Sequence, residues 1–166
     1  MEAEPYRNWE KRGNNEKAMR QMDQAAVEAI QRECESLVIA YARAIDFRDY
    51  DAFVELFTED ATLHAERTLD GKAAIRESIR QRPDELRSRH VISNLYIDVQ
   101  DADNARGICY LTLYRHHGVE SLEFEPVPLT GPAAVGHYED RYVRTGDTWL
   151  FASRRLHMAF QDPASF

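Results

Sequence analysis

Cysteine is scarce in this chain of 166 residues: only Cys34 and Cys109 occur, without CxxC or Cys/His spacing. A disulfide framework is therefore not expected, and two reduced thiols are. A basic excess is also missing. The formal net charge is -8 and the basic residues are scattered, which speaks against nucleic acid or an anionic membrane as a partner. No run of about 18 apolar residues is present, so no spanning helix is expected. The opening MEAEPYRNWEKRGNNEK has no apolar core and no small-residue cleavage site, so a secretory signal is not expected and a cytoplasmic protein is. HExxH, GxSxG, phosphate-cradling glycine loops and a dinucleotide fingerprint are all lacking, and neighbours His116 and His117 would point to opposite faces of a strand. No metal and no cofactor are expected.

What is present is enough for one domain: 43% of the residues are hydrophobic. Residues 1–22 are charged and almost free of aliphatics, which predicts a disordered tail or an arm lying on a neighbouring subunit. From residue 23 to 166 the pattern is that of a folded domain. Ile30, Cys34, Leu37, Val38, Tyr41 and Ile45 recur at helical spacing and predict a long helix. Asp49 caps a second helix carrying Tyr50, Phe53, Val54 and Phe57, and Ala61 to Ala65 alternate as a strand. After the turn at Asp70 and Gly71, KAAIRESIRQR forms a third helix stopped by Pro83. Four β-rich segments follow, at about 89–99, 105–116, 135–144 and 148–160, and predict an antiparallel meander. Helices first and strands afterwards give an α+β fold, with a strongly bent sheet wrapped over the helices.

Several polar residues stand out against this pattern. Asp46 falls at the C-terminal end of the long helix, where the helix dipole disfavours an anion. It is solvated, or helps cap the next helix, or points inward to orient a histidine. His90 shares a strand face with Ile92, Asn94 and Tyr96, opposite Val91, Leu95, Ile97 and Val99. Alone it reads more often as a structural histidine than as a base. Tyr41 lies about 140° of helical rotation from Asp46, so the two do not stack on one stripe but could flank a ligand; alone, Tyr41 reads most simply as core. Arg154, among Leu150, Ala152, Leu156 and Met158, needs an anionic or carbonyl partner or must snorkel outward. Arg76, Arg80, Arg82, Arg87 and Arg89 are interrupted by acids and read as a solvated face.

The stretches YARAIDFRDYDAFVELFTEDATLHAE, DGKAAIRESI, RHVISNLYID and HYEDRYVRTGDTWLFASRRLHM resemble the SnoaL-like branch of the nuclear transport factor 2-like superfamily. The resemblance covers nearly the whole chain after about residue 23. It is nearest to the eliminating members of that superfamily, scytalone dehydratase, bile acid 7-alpha-dehydratase and hexachlorocyclohexane dehydrochlorinase. What it implies is a cone of bent antiparallel sheet closed by three N-terminal helices around an internal pocket. It implies His90 as catalytic base and Asp46 as its partner, with Tyr41 matching the bile acid dehydratase tyrosine and Arg154 the dehydrochlorinase arginine. A one-residue shift would put Arg155 in that place instead. Asn94, Phe57, Leu63 and Tyr110 are the candidate substrate-lining residues. The expected activity is a cofactor-free, dehydratase-type elimination on a small hydrophobic oxygenated molecule such as a steroid, polyketide or terpenoid. An isomerase or cyclase using the same pair, or a non-catalytic binding or assembly subunit, is the alternative. A homo-oligomer, trimer before dimer, is implied by the same relatives.

Overall fold

The computed structural model describes residues 22–122 and 125–165. The tail expected at residues 1–22 lies, apart from Met22, outside the described residues. Helix α1 spans Gln24–Asp46 and buries Ile30, Cys34, Leu37, Val38 and Tyr41 along the stripe read from the sequence. It lies against the sheet, chiefly on the strand Leu86–Val99, which removes that stripe from water. Helix α2, Tyr50–Glu55, opens where the Asp49 carboxylate accepts from the Ala52 amide at 3.2 Å. It ends earlier than its periodicity suggests, because Phe57 already opens strand β1, Phe57–His64. A short strand β2, Thr68–Asp70, which the sequence did not announce, pairs back on β1. Helix α3, Lys72–Arg80, follows Gly71, whose positive φ of 85° suits glycine, and buries Ile75 and Ile79.

The remaining strands are β3 Leu86–Val99, β4 Asn104–His117, β5 Ala134–Thr145 and β6 Thr148–Gln161, paired antiparallel in sequence order as the meander predicts. Beyond the meander, β1 joins β6 in parallel, giving one six-stranded sheet in the order β2-β1-β6-β5-β4-β3. The sheet does not close on itself, and the three helices cover one face: an α+β fold of the expected cone type. On the covered side an aromatic core gathers Tyr41, Phe53, Phe57, Tyr138, Tyr142 and Phe151, with ring centroids 4.9 to 6.2 Å apart among neighbours.

Two bulges correct the strand faces read from simple alternation. In β3 the register shifts between Ser93 and Tyr96, and Asn94 takes a left-handed φ of 48°. The alternation therefore changes parity. His90 and Ile92 share the inner face with Leu95, Ile97 and Val99, whereas Val91 and Tyr96 stand about half exposed on the outer face. In β6 the shift falls between Ser153 and Phe151, so Arg154, Leu156 and Met158 share the inner face with Trp149 and Phe151 rather than with Leu150. The outer sheet face of the single chain is open and carries exposed Val91, Tyr96, Tyr110 and Phe160. Among the described residues no helix is long and apolar enough to cross a membrane.

Candidate active site

The end of α1 meets β3. Asp46 is the last residue of the helix, and β3 passes beside it with Ser88 and His90, two residues apart and therefore on one face. The segment after α1 is fastened to the start of β3 by Arg48, which reaches the Asp84 carboxylate at 2.9 Å and the Leu86 carbonyl at 2.9 Å. Asp46 thus receives three hydrogen bonds. His90 Nδ1 lies 2.7 Å from Oδ1, the His90 amide donates to Oδ2 at 2.7 Å, and the Ser88 hydroxyl donates to Oδ1 at 2.6 Å. The two side chains are nearly dry, with His90 7% and Asp46 6% exposed.

Magnitudes decide why an anion persists there. The adverse helix dipole is worth a few tenths of a kcal/mol, whereas each hydrogen bond to a charged group is worth roughly 1.5 to 3. Burial pushes the Asp46 carboxyl up, but the contacts with His90 and Ser88 outweigh it and hold the group below the ordinary aspartate range. Ionised Asp46 can only accept, so Nδ1 of His90 donates, and in the neutral form of the ring the lone pair falls on the other nitrogen, Nε2. The His90 ring lines a cavity of about 680 Å³, within the range of small-molecule sites. Of the other expected residues, Tyr41 and Leu63 also line it, and the Tyr41 ring meets His90 edge-on at 6.4 Å between centroids.

The remaining candidates fall elsewhere. Phe57 is fully buried in the aromatic core. Asn94 sits exposed in the β3 bulge, and Tyr110 is half exposed on the outer face of β4, where Cys109 and Leu111 on either side of it point inward. Arg154 faces inward but does not reach the cavity. It has no exposed surface and is locked to Asp140, its cross-strand neighbour, by contacts of 2.8 and 2.7 Å. Its guanidinium stacks 4.2 Å from the Tyr41 and Tyr138 ring centroids and 4.3 Å from that of Phe151. Arg155 points the other way, to His64 Nε2 at 3.1 Å. Of the two arginines, Arg154 therefore supports the cavity wall from behind.

Three cavity-side residues escaped sequence reasoning. Ser88 was signalled by the alternation Ser88-x-His90, which places both on one face. Tyr138 lines the cavity from β5, and its phenol, like that of Tyr41, is held protonated by burial. Arg82 is not part of a solvated face. It lies just beyond α3, donates to the Ser88 hydroxyl at 2.6 Å and to the Ile45 carbonyl at 3.4 Å, and lines the cavity with Arg67, Arg115 and Glu66. Arg115 is paired with Glu66 at 3.2 Å. One side of the cavity is therefore polar, and the rest, including Ile45, Leu69, Ile75, Leu111 and Met158, is apolar. A second hollow of about 500 Å³, between α1 and the β5–β6 turn, is lined by Arg32, Glu33, Asp147 and Trp149 and lies away from this pair.

Residues 27–155 match the SnoaL-like domain, and the chain belongs to that family. Comparison with curated proteins yields no match. Among solved structures, a candidate scytalone dehydratase from Novosphingobium aromaticivorans superposes with a TM-score of 0.73 at 18% identity, covering 87% of this chain and 92% of that one. A hexachlorocyclohexane dehydrochlorinase of type 2 gives 0.70 at 17% identity, covering 85% and 93%. A Mycobacterium tuberculosis protein of unknown function gives 0.63 at 23%, covering 80% and 76%. At these identities the likeness is one of fold.

Proposed function

We propose that the protein is a dehydratase-type lyase that removes water from a small, largely hydrophobic oxygenated molecule, with His90 as the base and Asp46 as the group that orients it. The observation that carries this reading is the 2.7 Å contact between two nearly dry side chains at the wall of a cavity. Nε2 of His90 takes a proton from a carbon beside a carbonyl or similar activating group. The C–H electron pair becomes the new double bond as the C–O bond to the hydroxyl breaks. Asp46 stabilises the imidazolium that forms, without taking its proton. The imidazolium then returns the proton to the departing hydroxyl, so the sum is substrate to alkene plus water. The phenols of Tyr41 and Tyr138, both protonated, can donate hydrogen bonds to the developing enolate oxygen.

General-base catalysis supplies on the order of 10² to 10⁴ in rate and a preorganised donor a comparable factor, which suits an activated substrate and not a simple alcohol. The apolar lining favours a ring-containing body such as a steroid, polyketide or terpenoid fragment. The oxygen-bearing end would lie toward Arg67, Arg82 and Arg115. The presence of two phenols, rather than one, also favours a second reading, in which the enolate is reprotonated elsewhere and the product is an isomer.

A panel of β-hydroxy ketones, followed by chromatography for loss of water or for isomers, tests both. His90→Ala is expected to lower kcat/KM by about 100-fold or more. Asp46→Asn is expected to lower kcat, because an amide can hold the ring in the opposite tautomer. Variants that match the parent on every substrate turned over would overturn the assignment.

A further inference from the structure

On the outer sheet face, away from the cavity, three side chains with metal-ligating atoms come together. His137 and Glu139 are two residues apart on β5, so both project from the same face, and His157 is the direct cross-strand partner of His137 on β6. The two imidazoles stack with centroids 4.9 Å apart and planes 15° from parallel. The Nε2 atoms of both rings are sealed from water and have no hydrogen-bond partner. The Glu139 carboxylate lies between them, Oε1 3.8 Å from His137 Nε2 and Oε2 3.5 Å from His157 Nε2.

We propose that His137, Glu139 and His157 form a binding site for a divalent transition-metal ion of the zinc class. Two orphaned buried ring nitrogens are a cost that folded proteins rarely carry, and the carboxylate is too far from either to relieve it by a hydrogen bond. One cation at the centre relieves both nitrogens and the carboxylate charge together. The geometry fits: zinc-to-nitrogen distances of about 2.0 to 2.1 Å with tetrahedral angles put ligand atoms about 3.4 Å apart. All three donor atoms already lie within 4.8 Å of one another, and the two nitrogen-to-oxygen separations are close to that spacing. Two imidazoles and a carboxylate suit zinc, cobalt or nickel better than calcium or magnesium, and three protein ligands leave a fourth position for water.

The surroundings agree. Arg155 is the cross-strand neighbour of Glu139, yet its guanidinium turns to His64 and leaves the carboxylate free for the histidines. Burial, followed by the charge of His157, pushes His137 below the ordinary histidine range. The lack of HExxH and of paired cysteines does not bear on this arrangement, because it is built across two strands rather than along one helix or knuckle.

Titration calorimetry of the untagged full chain, stripped with a chelator and titrated with zinc chloride, tests the site. One ion per chain is expected to bind, with melting raised by zinc. Glu139→Gln should weaken binding by more than the roughly tenfold that even outer-shell changes cost. The double variant His137→Ala/His157→Ala should abolish saturable binding, and His116→Ala/His117→Ala should leave it unchanged. A visible absorption band on cobalt(II) addition to the parent gives a readout that does not depend on any variant folding. No saturable zinc binding, no cobalt band, or binding that survives in the double variant would overturn the proposal.

Discussion

Burying Arg154 together with Asp140 removes two charges from water, at several kcal/mol per ion before pairing. The two-point contact, the Tyr142 hydroxyl donating to Asp140 at 2.9 Å and the stacked rings offset that cost. Arg154→Met alone strands a buried carboxylate and is expected to destabilise the fold by about 3 to 5 kcal/mol in urea denaturation. Arg154→Met with Asp140→Leu should recover most of the loss; a single variant costing under about 1 kcal/mol would show that the pair is dispensable. At this scale the sequence already asked for an anionic or carbonyl partner or an outward turn, and Asp140 supplies the first on the neighbouring strand. Asp46 and His90 were legible from the same kind of anomaly, an acid at a helix C-terminus and a histidine on a mixed face, together with the family resemblance. Ser88, Arg82 and Tyr138 were harder to see, because serine, arginine and tyrosine are ordinary on exposed surfaces and only tertiary packing turns these three inward.

Among the elements, the start of α2 follows from its Asp49 cap, the end of α3 from the Pro83 breaker and the four long strands from β-rich composition. The errors came where a uniform period of two was assumed. The bulge at Asn94 reverses the facing of half of β3, and asparagine is one of the few residues that adopts φ near 48° cheaply. Asn94→Gly is expected to leave stability nearly unchanged. Asn94→Val should cost about 1 to 2 kcal/mol in thermal or urea unfolding, since a β-branched side chain is strained there. Equal stability of the two variants would mean that the bulge backbone is not held in that conformation. The same bulge explains why Asn94 lies on the open face while His90 keeps its place inside; Tyr110 lies there by the regular alternation of β4.

Over the whole molecule, Cys34 and Cys109 mark how tightly the core is shut. Both are free and fully buried, and burial pushes their thiols up to about 12 and about 11. An aromatic disulfide reagent is expected to label neither in native buffer and both in denaturant, with the native rate reporting opening of the core. Labelling of either thiol at the rate of free cysteine would contradict that packing. The parallel seam between β1 and β6, at Phe57 and Phe151, has a further consequence. It ties the first strand of the domain to the last, so β1 can join the sheet only after the intervening strands and β6 have been synthesised. Such remote closure is slow because loop entropy must be overcome before the contact repays it. Until then β1 presents a bare edge and its phenylalanine to the cell, and that interval is when a nascent chain is most open to aggregation or to help from a chaperone.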